Sequence, residues 1–532
     1  MSTQARSGKR VVIVGGGAAG LGCAYSLLTE YRRLGGTTEA YLPGAQSADL
    51  QVLLLEGKEQ LGGRIGSERF GEFCIETGPA TLTDSAPGLG PLLEQLGLTE
   101  ELVYADDSAG QRYLFRQGQL RPLPRRPSDV LLSDALSLQA RLRLMMEPVI
   151  PQPGWRPFAK KRAAATAPAE PPLPGHDQDP DQDQSVGEFC RHRLGHRVTA
   201  ELIEPLLGGI FAGDIDKLSL HSALPKLSQL VRSHGSLLTG LMREHQESQA
   251  RPGAGPSAQK PAGARSARIC GFRRGLGQLP LSLGQAIAAA GGTVSLGTEV
   301  LALQHSTGWQ LQLTEQTLTA DELVLAVPPP AAARLLSATD AELASTLHSI
   351  PMVPVIAISL AWPKEQVPHP LDGFGFLLAH QEGLQLLGVQ FMTSVLPLCQ
   401  QVPRGQVMLR ALYGGAHHPS VLALEDGMLL EQVRRDLKLT LGILAAPRFI
   451  HIQRWPQAIE QYELGHADKL RTIAARCATL GSLHTTGAAY AGVGVPDVLR
   501  HGQQLGAALA AKLWAQRTSA SDSGAGAEGA RK

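Results

Sequence analysis

A chain of 532 residues, 43% hydrophobic and 18% charged, has enough apolar material for two or three domains with a large core. A formal net charge of +1 gives no electrostatic case for nucleic acid, which demands a concentrated basic face. Six scattered cysteines (Cys23, Cys74, Cys190, Cys270, Cys399 and Cys477), without C-x-x-C or metal-ligand spacing, exclude a disulfide framework and predict reduced thiols in a cytoplasm. Residues 1–10 are short, polar and basic, and no uninterrupted apolar run of 18 residues occurs, so neither a cleaved leader nor a membrane span is expected.

The first apolar run, 11–14, is β-branched and leads into Gly15-Gly16-Gly17-Ala18-Ala19-Gly20, a G-x-G-x-x-G followed by a helix over 18–30. Gly15 permits a tight turn, Gly17 lets backbone approach a pyrophosphate, and Gly20 lets helix pack on strand. The free N–H groups of the helix start, with Ala18 and Ala19 in its first turn, suit phosphate oxygens. A second strand, 51–55, ends at Glu56, where a carboxylate would accept a ribose hydroxyl. The spacing exceeds the usual ~20 residues because 31–50 reads as an inserted polar loop. Further on, 151–184, 249–268 and 518–532 lack any apolar period and are rich in Pro, Ala, Gly, Gln or Asp, so two disordered insertions and a disordered tail are expected. Residues 185–207 and 218–247 have helical spacing, 282–290 is a helix, 293–296 a strand, and 322–327 a buried strand stopped by Pro328-Pro329-Pro330. The runs 353–361, 373–378, 386–391 and 407–413 predict strands of one antiparallel or mixed sheet. Helices are expected at 429–441 and 499–515.

Such a strand–glycine–helix–acid unit accommodates NAD or FAD. Leu61-Gly62-Gly63-Arg64, eight residues from acid to arginine, favours FAD, since two glycines and a guanidinium add a second contact to a permanently bound diphosphate. The stretch 486–497, Thr-Gly-Ala-Ala-Tyr-Ala-Gly-Val-Gly-Val-Pro-Asp, has small residues that admit a ring system. Pro496 starts the last helix, whose N-terminus would stabilise a negatively charged reduced flavin. No G-x-S-x-G, H-E-x-x-H or P-loop lysine is present. The pair His417-His418 lacks an evident third ligand, so both read as loop residues and no metal is expected.

These residues resemble the FAD-dependent protoporphyrinogen/coproporphyrinogen III oxidase family within the amine oxidase and phytoene desaturase superfamily. More specific marks are 208–214 (Gly-Gly-Ile-Phe-Ala-Gly-Asp), Leu218-Ser219-Leu220, 271–280 (Gly-Phe-Arg-Arg-Gly-Leu-Gly-Gln-Leu-Pro) and 461–466 (Gln-Tyr-Glu-Leu-Gly-His). Two departures stand out: Glu460 where the family usually has Pro, and Ala80, after Gly78-Pro79, where some members carry a basic or amide side chain. The resemblance implies an α/β (α+β overall) chain with a Rossmann-type FAD-binding domain split along it, a mixed-sheet substrate domain and a helical subdomain. The implied boundaries are FAD-binding parts at 8–90, 268–328 and 478–516, a helical subdomain at 91–213, a helical and substrate region at 214–267, a substrate domain at 329–477 and a tail at 517–532. An apolar protrusion toward a membrane is not evident in the helical part.

The implied reaction is the six-electron oxidation of a porphyrinogen to a porphyrin in haem biosynthesis, in three cycles in which FAD accepts a hydride and dioxygen reoxidises the flavin, itself reduced to hydrogen peroxide; aromatisation drives it, so strong side-chain acid or base catalysis is not required. Implied cofactor contacts are Gly15, Gly17, Ala18, Ala19, Gly20, Glu56, Gly62, Gly63, Arg64, Gly78, Val300, Tyr490, Gly492, Val493 and Val495. Arg112 is the implied propionate partner, and Phe374, Leu377 and Leu412 the clamp on the macrocycle. Residues 81–98 contain no Lys or Arg, which favours the two propionates of protoporphyrinogen IX over the four of coproporphyrinogen III, with activity expected on both. The resemblance further admits peripheral membrane contact, a homodimer and handover to a chelatase. Two other readings stay open: an FAD amine oxidase or carotenoid-type desaturase, and a flavin-binding protein without turnover.

Overall fold

The structure, a computed structural model, describes residues 8–40, 49–124, 129, 133–147, 150, 183–237, 239–240, 243, 268–396 and 402–529. Apart from 183–184 and 268, the insertions expected at 151–184 and 249–268 lie outside these residues.

Strand β1 (Lys9–Val14) enters helix α1 (Ala18–Arg33) through the glycine turn, and β2 (Leu50–Leu55) returns beside it. They are the centre of a five-stranded, fully parallel sheet in the order Thr293–Ser295, β2, β1, Glu322–Leu325, Leu483–Thr485. Both faces are covered, which is why β1 is a continuous apolar run and does not alternate. Val11 and Ile13 pack on Leu21, Leu27 and Leu28 of α1 and on Leu499, Leu509 and Leu513 of the final helix. Val12 and Val14 pack on Leu303, Trp309 and Leu311 of a three-stranded antiparallel sheet over 302–320. The parallel sheet thus collects strands from three separated stretches of chain.

The final helix, Val495–Gly529, lies against α1 with almost no space between the backbones. A Cβ on Gly22 would stand 2.7 Å from the Leu499 carbonyl oxygen, and one on Gly502 or Gly506 would overlap the carbonyls of Ala19 and Cys23. Since 19 meets 502 and 23 meets 506, the two helices run parallel, and both N-termini point to one edge of the sheet.

A seven-stranded mixed sheet has the order Phe449–Glu460, Met352–Pro363, Gln406–Gly414, Leu386–Gln390, Gly375–Leu378, Arg112–Arg116, Gln119–Pro122. Only Gly375–Leu378 with Arg112–Arg116 is a parallel pair. One face, carrying Ile358, Phe376, Val389 and Ala411, packs on Leu429, Val433 and Leu437 of the helix Asp426–Leu441. The other face looks toward the glycine turns.

Several elements differ from the sequence reading. The expected helix over 185–207 is broken: Val186–Leu194 ends at Gly195 (φ +86°), and Thr199–Ile203 forms a π-turn before Glu204–Phe211. The helix over 218–247 divides at Pro225, which cannot donate to a preceding turn and starts Pro225–His234. The strand Phe449–Glu460 and the helix His466–Leu480 have weak patterns because most of their side chains are partly exposed. The last helix continues to Gly529 where a tail from 517 was expected, its alanine content favouring helix despite low hydrophobicity. Helix Leu138–Met145 and its C-cap Met146 leave Leu138, Leu142, Met145 and Met146 each more than half exposed. This corrects the expectation that the helical part lacks an apolar protrusion: interleaved Arg141 and Arg143 obscure the i, i+4, i+7 stripe in sequence. Among the described residues no helix is long and apolar enough to cross a membrane.

Candidate active site

The glycine turn is built by close approach. Gly15 takes φ +112°, donates to the Leu55 carbonyl at 2.8 Å, and leaves no room for a Cβ beside the Ala326 carbonyl. A Cβ on Gly20 would overlap the Gly15 carbonyl. Gly17 differs, for nothing lies within 4 Å of its missing Cβ except Gly63 Cα, at 4.0 Å. Gly17 and Gly62 form an isolated parallel bridge, and Gly62 N–H donates to the Gly16 carbonyl at 2.8 Å. Gly62 and Gly63 both have positive φ, which admits the second turn facing the first. Glu56, at the end of β2, accepts from Gly16 N–H (2.7 Å) and Lys58 N–H (2.9 Å). Helix α1 has no side-chain cap at Gly17, so its first N–H groups, those of Ala18 and Ala19 among them, keep their positive potential for a ligand. Val300, buried, belongs to the core cluster that holds Val14 and Leu55 at the ends of β1 and β2, two residues after Thr298, whose N–H donates to the Glu56 carbonyl at 2.8 Å. Gly15, Gly17, Ala18, Ala19, Gly20, Glu56, Gly62, Gly63 and Val300 are therefore brought together, and their shape fits a diphosphate and its ribose.

Arg64 is engaged by a residue of the chain itself: its guanidinium is held bidentately by Glu460, Nη1 and Nη2 each 2.9 Å from a carboxylate oxygen, which orients the side chain and leaves its remaining N–H groups for a diphosphate. The reason is burial: Glu460 is 3% exposed, and a buried carboxylate needs a matched cation. The residue that departs from the family pattern is thus the one that recruits Arg64.

The C-terminal loop closes the same edge. Gly487 (φ +143°) and Gly492 (φ +115°) shape it, Tyr490 lies parallel to His501 with ring centroids 6.3 Å apart, and Val493 and Val495 pack into the helical and parallel-sheet cores. Behind it, Tyr462 OH donates to the Ala488 carbonyl and accepts from Gly492 N–H at 3.0 Å. His466 stacks on Tyr462 at 4.6 Å, and its Nε2 contacts the Ala489 carbonyl at 2.9 Å, so Nε2 carries the proton. Burial depresses the His466 pKa to about 4 and keeps the ring neutral. The 461–466 motif is accordingly a brace for the loop at 487–492.

Two cross-strand rows on the inner face of the mixed sheet form a floor. Leu114, Leu377, Gly388, Leu412, Ala357 and Gln453 are successive partners in one row. Arg112, Gly375, Gln390, Arg410, Ser359 and His451 form the next. Gly388 is bare, and Leu377 leans to within 3.1 Å of where its Cβ would be. Gly209, on helix Glu204–Phe211, faces Leu377 from above. Gly375 takes φ +139° and breaks the alternation, so Phe374 joins Val103, Val395 and Leu396 away from the helix-facing core. The exposed Arg112 guanidinium lies 5.4 Å from the Phe374 ring centroid. Leu377 and Leu412 are one row away from this pair.

The Gly78-Pro79 turn connects floor and glycine turns. Glu76, buried, accepts from Ser67 Oγ (2.7 Å) and Leu276 N–H (3.0 Å). Trp455 Nε1–H donates to the Thr77 carbonyl at 2.7 Å, and Arg410 donates to the Gly78 carbonyl. Neither Trp455 nor Arg410 is singled out by sequence reasoning; the signal present was a cation within the apolar run 407–413. Burial lowers the Arg410 pKa to about 10. His380 stacks on His417 (4.6 Å) and approaches His418 (5.0 Å), bringing a third imidazole to the pair, yet no metal-binding group occurs among the described residues. The five described cysteines are free thiols, and Cys399 lies outside the described residues.

The flavin containing amine oxidoreductase family profile matches residues 18–508. Coproporphyrinogen III oxidase of Bacillus subtilis (strain 168) is 28% identical over 506 residues, covering 93% of this chain and 96% of the relative. Protoporphyrinogen oxidase 1, chloroplastic, of Arabidopsis thaliana is 30% identical over 477 residues, covering 87% and 80%. A crystal structure from Exiguobacterium sp. 255-15 superposes with a TM-score of 0.75 at 24% identity, covering 96% of this chain and all of that one, and so shares its fold.

Proposed function

The chain belongs to the flavin containing amine oxidoreductase family, and from that premise we propose that it oxidises a porphyrinogen to a porphyrin, using FAD and dioxygen and releasing hydrogen peroxide. The observation that supports this reading is the apolar cross-strand row of Leu114, Leu377, Gly388, Leu412 and Ala357, on the sheet face that Arg410 ties to the Gly78 turn, with Arg112 in the adjacent row. Glu56 and the turns at 15–20 and 62–63 would hold the adenosine diphosphate half, and the loop of Tyr490, Gly492, Val493 and Val495 the ring half. When bound, FAD supplies hydride acceptance.

The chain's own residues do the remaining work. The N-terminus of the final helix offers positive potential to charge that develops on a reduced ring. Leu377, Leu412 and Phe374 bind the macrocycle and exclude water, and Arg112 holds a propionate. The inner sheet face offers no carboxylate in either row, in keeping with a substrate whose aromatisation drives its own oxidation. Arg410 is a second guanidinium on this floor, three strand spacings or about 14 Å from Arg112. It engages Gly78, so the rim cations favour neither substrate strongly, and we propose turnover of both protoporphyrinogen IX and coproporphyrinogen III. The setting we propose is cytoplasmic.

Anaerobic mixing with each porphyrinogen tests the reading. Either substrate should bleach the flavin absorbance. Bleaching by an amine or a polyene, with none by a porphyrinogen, would replace it.

A further inference from the structure

Two polar atoms on the floor have no hydrogen-bond partner although both are buried: Gln390 Oε1 and Arg410 Nε. They belong to cross-strand neighbours on the inner face, with Gly375 on the far side of Gln390 and Gly388 two residues along its own strand. Arg410 is the side chain beside Gln390 on one side, and the glycines place none on the other two. Native proteins seldom bury an acceptor unused, so this one calls for a donor that arrives with a ligand. We propose that Gln390 is a substrate-contacting residue whose side-chain oxygen accepts a hydrogen bond from a pyrrole N–H of the macrocycle.

This rests on the porphyrinogen reading and deepens it. A porphyrinogen brings four N–H donors into an otherwise apolar slot, whereas a polyene brings none. A site built to bond a donor discriminates strongly against an analogue lacking it, because its own acceptor is then left unpaired. The bond also strengthens during reaction. Removal of a hydride from a bridging carbon, with FAD as acceptor and dioxygen as final oxidant, leaves positive charge shared with the adjacent pyrrole nitrogen. A proton then leaves that nitrogen or a neighbouring carbon for solvent, completing the two-electron step. The nitrogen is a better donor while charged, so Gln390 stabilises the transition state more than the bound substrate.

The test compares FAD-loaded wild type with Gln390→Leu, similar in size without an acceptor, and Gln390→Glu, which keeps one. Expected for Gln390→Leu is a tenfold or greater fall in the rate of anaerobic flavin reduction by protoporphyrinogen IX. Its reduction by dithionite and its melting temperature should match wild type. Binding of protoporphyrin IX, read by porphyrin fluorescence, should weaken severalfold, and Gln390→Glu should restore the reduction rate to within about threefold. A wild-type rate for Gln390→Leu overturns the proposal. So does a lowered melting temperature with unchanged porphyrin binding, which would make Gln390 a structural partner of Arg410. If protoporphyrinogen fails to reduce wild type, the porphyrinogen reading itself falls and takes this role with it.

Discussion

At the scale of single residues, Glu56 already binds two backbone N–H groups of the turns it joins, so its carboxylate is oriented before any ribose arrives. Glu56→Ala should weaken FAD by roughly 1.5–3 kcal/mol, the contribution of a hydrogen bond to a charged group, read as the FAD dissociation constant. Unchanged retention would remove Glu56 from that role. Arg112→Ala should raise KM with little change in kcat, because a propionate contact remote from the bridging carbon holds ground and transition states alike; steady-state kinetics decide it. His466 gives a pH dependence with a definite sign. Its pKa is depressed in the fold, from 6.5 to about 4, so the unfolded chain takes up the proton first as pH falls. Stability from this group is complete above pH 6.5 and is lost progressively toward pH 4, by about 3 kcal/mol at the limit. His466→Gln, neutral throughout, should flatten that part of the melting-temperature profile.

At the scale of elements, the final helix and α1 touch through glycine. Gly506→Ala would drive a methyl into the Cys23 carbonyl, and a cost of about 1–3 kcal/mol should appear as a lower melting temperature with partial loss of flavin. An unaltered melt would mean that the helices separate freely. The insertion at 151–184 has a structural edge: Asp183 accepts from Ser219 Oγ at 2.7 Å and from Gly465 N–H at 3.1 Å, next to the His466 brace. Excision of 151–182 should therefore keep flavin and activity, while excision through 184 should lose flavin; equal behaviour of the two proteins would contradict this. The glycine turn, β1, β2 and the central strands of the mixed sheet were legible because each buries a regular period. The strand Phe449–Glu460 was not, since Trp455 and Glu460 serve distant loops and break its alternation. The π-turn at Thr199–Ile203 leaves no mark in a 3.6-residue pattern.

At the scale of the whole molecule, the parallel sheet gathers strands from both ends and the middle of the chain, and the mixed sheet draws Arg112–Arg116 and Gln119–Pro122 from the stretch expected to be helical. Sequence shows the cofactor half well because glycines at fixed spacing have few other uses. The substrate half is less legible: Arg112, Gln390 and Arg410 are far apart in the chain and become one row only through strand register. The same register unites a cofactor edge, an apolar floor and a rim guanidinium, which is the basis for assigning porphyrinogen oxidation. Aerobic turnover of protoporphyrinogen IX by the FAD-loaded protein, with porphyrin fluorescence and dioxygen uptake followed together, tests that assignment most directly. Three two-electron cycles predict about three dioxygen consumed per porphyrin formed, above the rate without enzyme. Porphyrin formation no faster than in buffer would contradict the account.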